Sequence, residues 1–363
     1  MAPIRPLLED QAITEIMING SKQVFVERGG RMQQLPPVFT DDQQLDFLVE
    51  TLLRGTGRSV DARSPYVDSR LPDGSRVNII IPPLCLQGPS ITIRKFTRSL
   101  KEIKDLVKIG TMTDRMGRFL AGAVRSRMNI IFAGATGTGK TTTLGILSRC
   151  ISESERIITI EDTAELDLHQ VHVVNLECRP SNVEGEGAVE LSDLLKNTLR
   201  MRPTRIIVGE IRGDEAVDML QAITSGHEGC LAVLHASSPV DAITRLEMMV
   251  LSRGLNLPLW AVHHQISAAI NLIVQHEMLT DGARKITRIT EVTGVEDDRA
   301  ALRNLWEYHE EGIDDRGNVI GDFHCTGEEP QFLSRFERFG VQLPGSVFAK
   351  GVDRDPVDGI DTR

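Results

Sequence analysis

Aromatic side chains are scarce in this chain, at 4 % of 363 residues. Reading single-stranded nucleic acid by base stacking needs an aromatic platform, so that activity is excluded as the main one. An excess of basic charge is missing too: the net charge is −10 and the pI about 5.5, which excludes a duplex DNA binder. No nucleic-acid partner is therefore expected. The cysteines at 85, 150, 178, 230 and 325 form no CxxC pair, which leaves a zinc ribbon and a thioredoxin-type site unsupported. Such scattered cysteines suggest reduced thiols. No uncharged apolar run approaches the ~18 residues of a membrane helix. The opening MAPIRPLLEDQ contains no apolar core of a secretory leader. These absences lead us to expect a cytoplasmic protein without a membrane span, held at a membrane, if at all, through partners.

What is present fits a folded chain. Hydrophobic residues make up 40 % and charged residues 25 %, enough for a real core and incompatible with disorder throughout. At roughly 100–200 residues per domain, the length suggests two. Residues 1–130 hold 19 Lys and Arg against 14 acids, whereas residues 131–363 hold 22 against 37. A mildly basic front and an acidic back fit two domains with different partners, and equally a solvated surface with chance asymmetry.

Residues 10–32 read as short strands, with Ile13 to Asn19 alternating and Asn19-Gly20 as a turn. Thr40-Asp41-Asp42 offers a cap for a helix through Leu45, Leu48 and Leu52. Strands at 66–71, 77–81 and 91–94 complete a small α+β domain over 1–98. Residues 99–127 read as a linker with a helix leading into the second domain. From Asn129, apolar strands at 129–133, 157–160, 171–176, 206–209, 230–234, 269–274 and 286–292 alternate with helices at 140–151, 190–201, 214–224 and 239–252. That rhythm predicts an α/β fold with a mostly parallel, doubly wound sheet over 128–293. Residues 294–363 read as an acidic C-terminal extension, with one hairpin arm over 318–325 and a disordered end after Phe348.

The strongest signal is Gly134-Ala135-Thr136-Gly137-Thr138-Gly139-Lys140-Thr141, directly after the apolar strand and opening a helix that continues with Thr142. This is a P-loop. Glycines let backbone N–H groups turn inward around a phosphate, and the helix N-terminus adds partial positive charge. Lys140 can reach the outer phosphates of ATP, and the Thr141 hydroxyl can ligate Mg²⁺. Arg205-Ile206-Ile207-Val208-Gly209-Glu210 ends an apolar strand in a carboxylate, which makes Glu210 a Walker-B-type residue holding Mg²⁺ directly or through water. Ile157 to Glu161 repeats that design on another strand. Glu161 then aligns water for attack on the γ-phosphate, or is a helix-capping or exposed carboxylate.

Further motifs narrow this choice. Gly226-His227-Glu228-Gly229 with Leu234-His235-Ala236-Ser237-Ser238-Pro239 resembles the His box of the type II/type IV secretion ATPases. Ile160-Glu161-Asp162-Thr163-Ala164-Glu165-Leu166 resembles their Asp box, and Leu199-Arg200-Met201-Arg202-Pro203 leads into Glu210-Ile211-Arg212 as theirs does. Within that superfamily the chain looks like the tight-adherence (Flp) pilus assembly ATPases of the CpaF type. Ile13 to Gly20, Leu71 to Asn78 and Thr92 to Phe96 carry the likeness in the front half. Thr204, Val233 and Ser237 depart from it, standing where Asp, Thr and Asn are usual. The absence of CxxC separates the chain from the type II branch with a four-cysteine metal site.

The resemblance implies a RecA-like core, a homo-hexamer and ATP hydrolysis that drives pilus assembly or secretion through inner-membrane platform proteins. It gives Glu161 the water-aligning role and Glu210 the acid near Mg²⁺. His227 and His235 become histidines that sense the γ-phosphate and link subunits. Arg94 becomes an arginine sent toward the phosphates, with Arg76, Arg200 and Arg212 as further candidates. A conjugation-type secretion ATPase shares all these residues. A non-hydrolysing nucleotide-binding regulator is the third reading, against which Lys140, Thr141, Glu161 and Glu210 speak.

Overall fold

The computed structural model describes residues 2–95, 100–179, 181, 186–254 and 257–354. The chain divides into two compact units, Met1–Ser99 and Leu100–Arg363.

In the first unit α1 (Arg5–Glu9) precedes β1 (Ile13–Asn19), β2 (Gln23–Arg28) and β3 (Arg31–Leu35). Then follow α2 (Asp42–Leu53), β4 (Tyr66–Arg70), β5 (Arg76–Ile80) and β6 (Ser90–Arg94). The strands form an antiparallel sheet in the order β3-β2-β1-β6-β5-β4. Alternation decides which face is buried: Ile16, Ile18, Val24, Val26, Val77, Ile79, Ile91 and Ile93 pack with Leu45, Leu48 and Leu52 of α2. Asp41 starts that helix, its side chain accepting from the Gln44 N–H.

The second unit opens with α3 (Ile103–Lys108) and α4 (Asp114–Arg125). It continues β7 (Ile130–Gly134), α5 (Lys140–Ser148), β8 (Ile157–Glu161), β9 (Val173–Glu177), α6 (Leu191–Thr198), β10 (Arg205–Ile211), α7 (Glu215–Thr224) and β11 (Leu231–Leu234). The last part holds α8 (Pro239–Ser252), α9 (Leu259–Ala269), β12 (Leu272–Met278), β13 (Arg284–Glu296), β14 (Arg299–Ile313), β15 (Val319–Cys325), α10 (Leu333–Arg338) and β16 (Gly351–Asp353). Among the described residues these strands make one sheet, ordered β16-β15-β14-β13-β12-β7-β11-β10-β8-β9. Ile130 and Phe132 of β7 pack into a core with α4 and α5, and Ile131 and Ala133 into another with α6 to α9. A strand buried on both faces has to read as an unbroken apolar run, as β7 does.

Of three sequence expectations, the first holds and two need correction. Over 128–293 the sheet is mostly parallel, from β12 to β9, while the β12–β13 pairing and every pairing beyond it are antiparallel. The Asp281-Gly282 turn joins β12 to β13 directly, and a tight connection permits only antiparallel pairing. Second, residues after 293 are no separate extension, because β13, β14, β15 and β16 carry the same sheet onward. Their apolar residues are diluted by charge, so periodicity was faint, yet Trp306, Phe323, Phe336 and Phe348 all enter the core that holds Phe119 of α4. The aromatic residues, few as they are, concentrate here: Phe119 contacts the rings of Trp306, Phe332, Phe336 and Phe348. Third, order continues past Phe348 into β16. Buried Asp353 accepts from the Thr113 hydroxyl at 2.8 Å and the Trp306 indole at 3.0 Å, and a carboxylate so held fixes a polar segment. The expected disorder of residues 355–363 lies outside the described residues. Residues 99–127 read in sequence as a linker with a helix leading into this unit; α3 and α4 lie there and contribute Leu106, Met116, Phe119 and Leu120 to its core.

At the N-terminal edge of the parallel strands a buried guanidinium ties the layers together. Arg205 is 1 % exposed and donates to Glu155 at 2.9 Å, to the Gly229 carbonyl at 2.9 Å and to the Val124 carbonyl. Burial pulls its pKa down and the Glu155 carboxylate opposes that shift. Removing one partner of a buried ion pair leaves unpaid desolvation, so Arg205→Ala is expected to cost about 3–5 kcal/mol. Equilibrium denaturation of the variant checks this; a loss under about 1 kcal/mol, a common cost for a point mutation, contradicts it.

Candidate nucleotide-binding and catalytic site

The C-terminal ends of β7, β8, β10 and β11 deliver the candidate residues to one edge of the sheet. After β7 the chain must reverse into α5 within a few residues. Gly139 makes this possible at φ +97°, a left-handed value that side chains resist, and Lys140 opens the helix. The Lys140 Nζ donates to the Ala135 carbonyl at 2.6 Å, and the Thr138 hydroxyl to the same oxygen at 2.9 Å. Thr136 and Thr142 are exposed, and Thr141 is half-buried in the first turn. Among the described residues the Thr141 hydroxyl makes no hydrogen bond, so its oxygen is available as a ligand.

Glu161 ends β8 and is 3 % exposed. Its Oε2 accepts the backbone N–H groups of Glu165 (2.7 Å) and Leu166 (3.1 Å). The Asp-box turn thus grips the carboxylate, and neither a helix cap nor a surface group describes it. Gly209 on the neighbouring β10 lies so close that a Cβ there would stand 2.7 Å from the Glu161 Cγ.

Glu210 follows, half-buried, with both oxygens engaged by Arg212 at 2.6 and 2.7 Å. The His235 Nε2 stands 3.0 Å from its Oε1. Burial alone would raise the Glu210 pKa, but the Arg212 hydrogen bonds and the charges of Arg212, His235 and Lys140 outweigh it and hold the carboxylate below its usual range. His235 shifts down, through burial first and the nearby Lys140 charge second, so at neutral pH it is a neutral ring donating to Glu210. Arg212 also reaches Asp162 at 3.1 Å. Of the second unit's candidate arginines, Arg200 and Arg212, it is the one in this carboxylate cluster.

The remaining candidates are carried by other elements. The His227 ring bonds the Ala222 carbonyl at 3.2 Å, at the end of α7, apart from the Glu210 cluster. Arg94 ends β6 in the first unit, cross-strand from Glu15 and Arg76. Arg200 is exposed beyond α6. Sequence reading missed Gly209, buried Glu215, which accepts the Gly213 N–H at 2.8 Å, and the β12 pair Gln275-His276. Gln275 donates to the Ala236 carbonyl at 3.2 Å, beside His235. The polar pair interrupting the apolar run Leu272-Ile273-Val274 was the available signal.

Among the described residues no cluster of three His, Cys, Asp or Glu could hold a metal by itself. A hard-oxygen pair, the Thr141 hydroxyl and the ionised Glu210, fits Mg²⁺, whose shell is commonly completed by water and substrate phosphate.

Comparison with known proteins bears on the family and the fold. The family described as Type II/IV secretion system protein matches residues 1–309. A putative conjugal transfer protein of Mycobacterium tuberculosis is 32 % identical over 324 residues, covering 83 % of this chain and 92 % of its own. The type IV secretion system protein VirB11 of Brucella suis is 33 % identical over 311 residues, covering 78 % and 86 %. In fold, the chain is similar to the ATPase DotB of Yersinia pseudotuberculosis, with a TM-score of 0.57 at 18 % identity over 80 % of this chain and 77 % of that one. It is similar also to the ADP-bound pilus retraction motor PilT, with a TM-score of 0.54 at 23 % identity over 78 % and 80 %.

The contact between Gly209 and Glu161 generates a prediction independent of activity. In Gly209→Ala the new methyl forces the Glu161 side chain off its two amides, at a cost of about 1–3 kcal/mol, as overpacking does. Hydrogen exchange should show the Glu165 and Leu166 amides losing protection while those of β7 keep theirs. Unchanged protection at both would mean that the carboxylate is not held by that packing.

Proposed function

The chain belongs to the type II/IV secretion system protein family, and from that premise we propose that it hydrolyses ATP to power a secretion or pilus machine. One observation carries the reading. Parallel pairing sets Ala133 of β7 beside Leu234 of β11 and Leu234 beside Ile211 of β10, so the P-loop, His235 and Glu210 leave the sheet at one edge; the Lys140 charge there lowers the pKa of both Glu210 and His235.

In this proposal the second unit is a RecA-like core. Lys140 and the inward N–H groups of Gly134 to Thr141 hold the phosphates, with Thr142 continuing the first helical turn. Thr141 and Glu210 supply oxygen ligands for Mg²⁺, which when bound neutralises charge on the phosphates. Glu161 aligns the attacking water, its carboxylate fixed in direction by the Glu165 and Leu166 amides. Arg212 keeps Glu210 ionised and ties it to Asp162. His235 donates a neutral N–H at the same carboxylate, so a phosphate arriving there competes for both groups and moves them. That competition is the basis for assigning His235 the γ-phosphate-sensing role. His227, which bonds the Ala222 carbonyl at the end of α7, is proposed as a contact to a neighbouring subunit of a homo-hexamer on the family resemblance. Arg94 is proposed as a phosphate-contacting arginine on the family resemblance alone.

We assign the machine to the tight-adherence pilus class, acting from the cytoplasm through inner-membrane platform proteins, on the front-half motifs from Ile13 to Gly20 and Leu71 to Asn78. A conjugation-type secretion ATPase is the second reading, supported by the conjugal-transfer and VirB11 relatives. Co-purification from the native cell decides between them: pilus platform proteins support the first, a DNA-transfer coupling protein the second.

Lys140→Ala is expected to abolish nucleotide binding, because the outer phosphates lose their point charge. Glu161→Gln should keep ADP and ATP affinity while turnover falls by about 100-fold or more, the scale of lost proton-transfer catalysis. Equilibrium binding and steady-state phosphate release check both. Wild-type turnover in Glu161→Gln would move water alignment to another residue.

A further inference from the structure

The P-loop is a run of peptide planes, each of which must face the right way for its N–H to meet a phosphate. In a trans peptide the carbonyl of one residue and the N–H of the next point in opposite directions. Whatever grips a carbonyl from outside the loop therefore aims the following N–H inward.

Arg284 is placed to do this. Residue His276 of β12 pairs with Gly134 at the end of β7, and Met278 of β12 pairs with Arg284 at the start of β13. The hairpin thereby brings Arg284 alongside the P-loop, 147 positions away in sequence from the residue it meets. Its Nε donates to the Gly137 carbonyl at 2.7 Å. Its Cδ lies 3.6 Å from where a Cβ on Gly139 would stand. The same hairpin backs the loop from beneath. A Cβ on Gly134 would collide with the His276 carbonyl oxygen, and the His276 ring is fully buried beside the Thr138 backbone, with neither nitrogen in a hydrogen bond of normal geometry among the described residues. Burial and the Lys140 charge push its pKa down to about 3, so it is a neutral wedge at working pH.

We propose that Arg284 is a positioning residue of the nucleotide cradle: its hydrogen bond to the Gly137 carbonyl fixes the 137–138 peptide plane and turns the Thr138 N–H toward the bound phosphates. This rests on the reading of the site as a nucleotide site and adds a residue that no P-loop pattern contains. The role belongs to the N–H donor rather than to the positive charge, because the bond leaves from Nε and acts on a backbone carbonyl.

Two substitutions separate donor from charge. In Arg284→Gln the amide Nε2 falls at the same bond position as the arginine Nε, which keeps the donor and removes the charge. Arg284→Met keeps the chain length and loses both. The full-length chain is titrated with ADP and assayed for ATP turnover, with thermal unfolding in parallel. Arg284→Met should weaken ADP binding and raise the KM for ATP by roughly 10-fold, the upper end for one net hydrogen bond, with kcat within about twofold. Arg284→Gln should restore affinity to within about threefold of wild type. In the amide spectrum Thr138 should shift on ADP addition in wild type and Arg284→Gln, and much less in Arg284→Met. Equal loss in both variants would overturn the proposal in favour of a charge effect. Wild-type affinity in Arg284→Met would overturn it outright. Lys140→Ala tests nucleotide binding independently, so failure of the Arg284 role is distinguishable from failure of the nucleotide reading.

Discussion

Parallel strand pairing is the constraint on which the candidate site depends. Parallel neighbours run the same way, so β7, β8, β10 and β11 all release their chains at one edge. The P-loop, Glu161, Glu210 and His235 meet there because of that pairing, although they span a hundred positions of sequence. The opposite edge must be closed instead, and the buried Arg205 does so by binding Glu155 and the carbonyls of Gly229 and Val124. One edge is thus stabilised by satisfied charge, and the other keeps charge available for chemistry.

At the open edge the electrostatics are poised around two cations, Lys140 and Arg212. Lys140 depresses the pKa of His235 and helps to keep Glu210 ionised. Arg212 spans Glu210 and Asp162, so the acids of two neighbouring strand ends share one guanidinium. In the proposed reading, a polyphosphate meets an acid already deprotonated and competes with it for the donors around it, so the charges that phosphoryl transfer uses are in place beforehand.

The antiparallel half of the large sheet carries more than stability. The aromatic cluster around Phe119 and Trp306 anchors residues 299–353 to α4. β14 in turn pairs with β13, whose Arg284 bonds the Gly137 carbonyl. A segment that looks peripheral by composition thus extends the sheet that reaches the P-loop.

Local grammar made much of this readable. The P-loop could be recognised because backbone geometry demands glycine at 134 and 139, and because lysine and threonine must follow at the helix start. Glu161 and Glu210 could be recognised because an apolar strand ending in a carboxylate is visible in a run of six residues. The His and Asp boxes identified the family by pattern. The sequence did not disclose that the sheet changes direction after β12, since a strand pattern carries no sign for its neighbour's direction. Nor did it disclose that residues after 293 join the core, where alternating charge masks the inward face. His227 and His235 looked equivalent as residues of one box, yet only His235 reaches Glu210, because one ends a helix turn and the other a strand. Arg284 and Gly209 had no local mark at all: a guanidinium in a charged strand and a glycine before an acid are ordinary in sequence. Their roles exist only where separate strands bring Arg284 to Gly137 and Gly209 to Glu161. The sequence by itself determined which chemical groups the site would contain. The tertiary structure decided which of them touch, because pairing direction and strand register are set by the packing of the whole sheet.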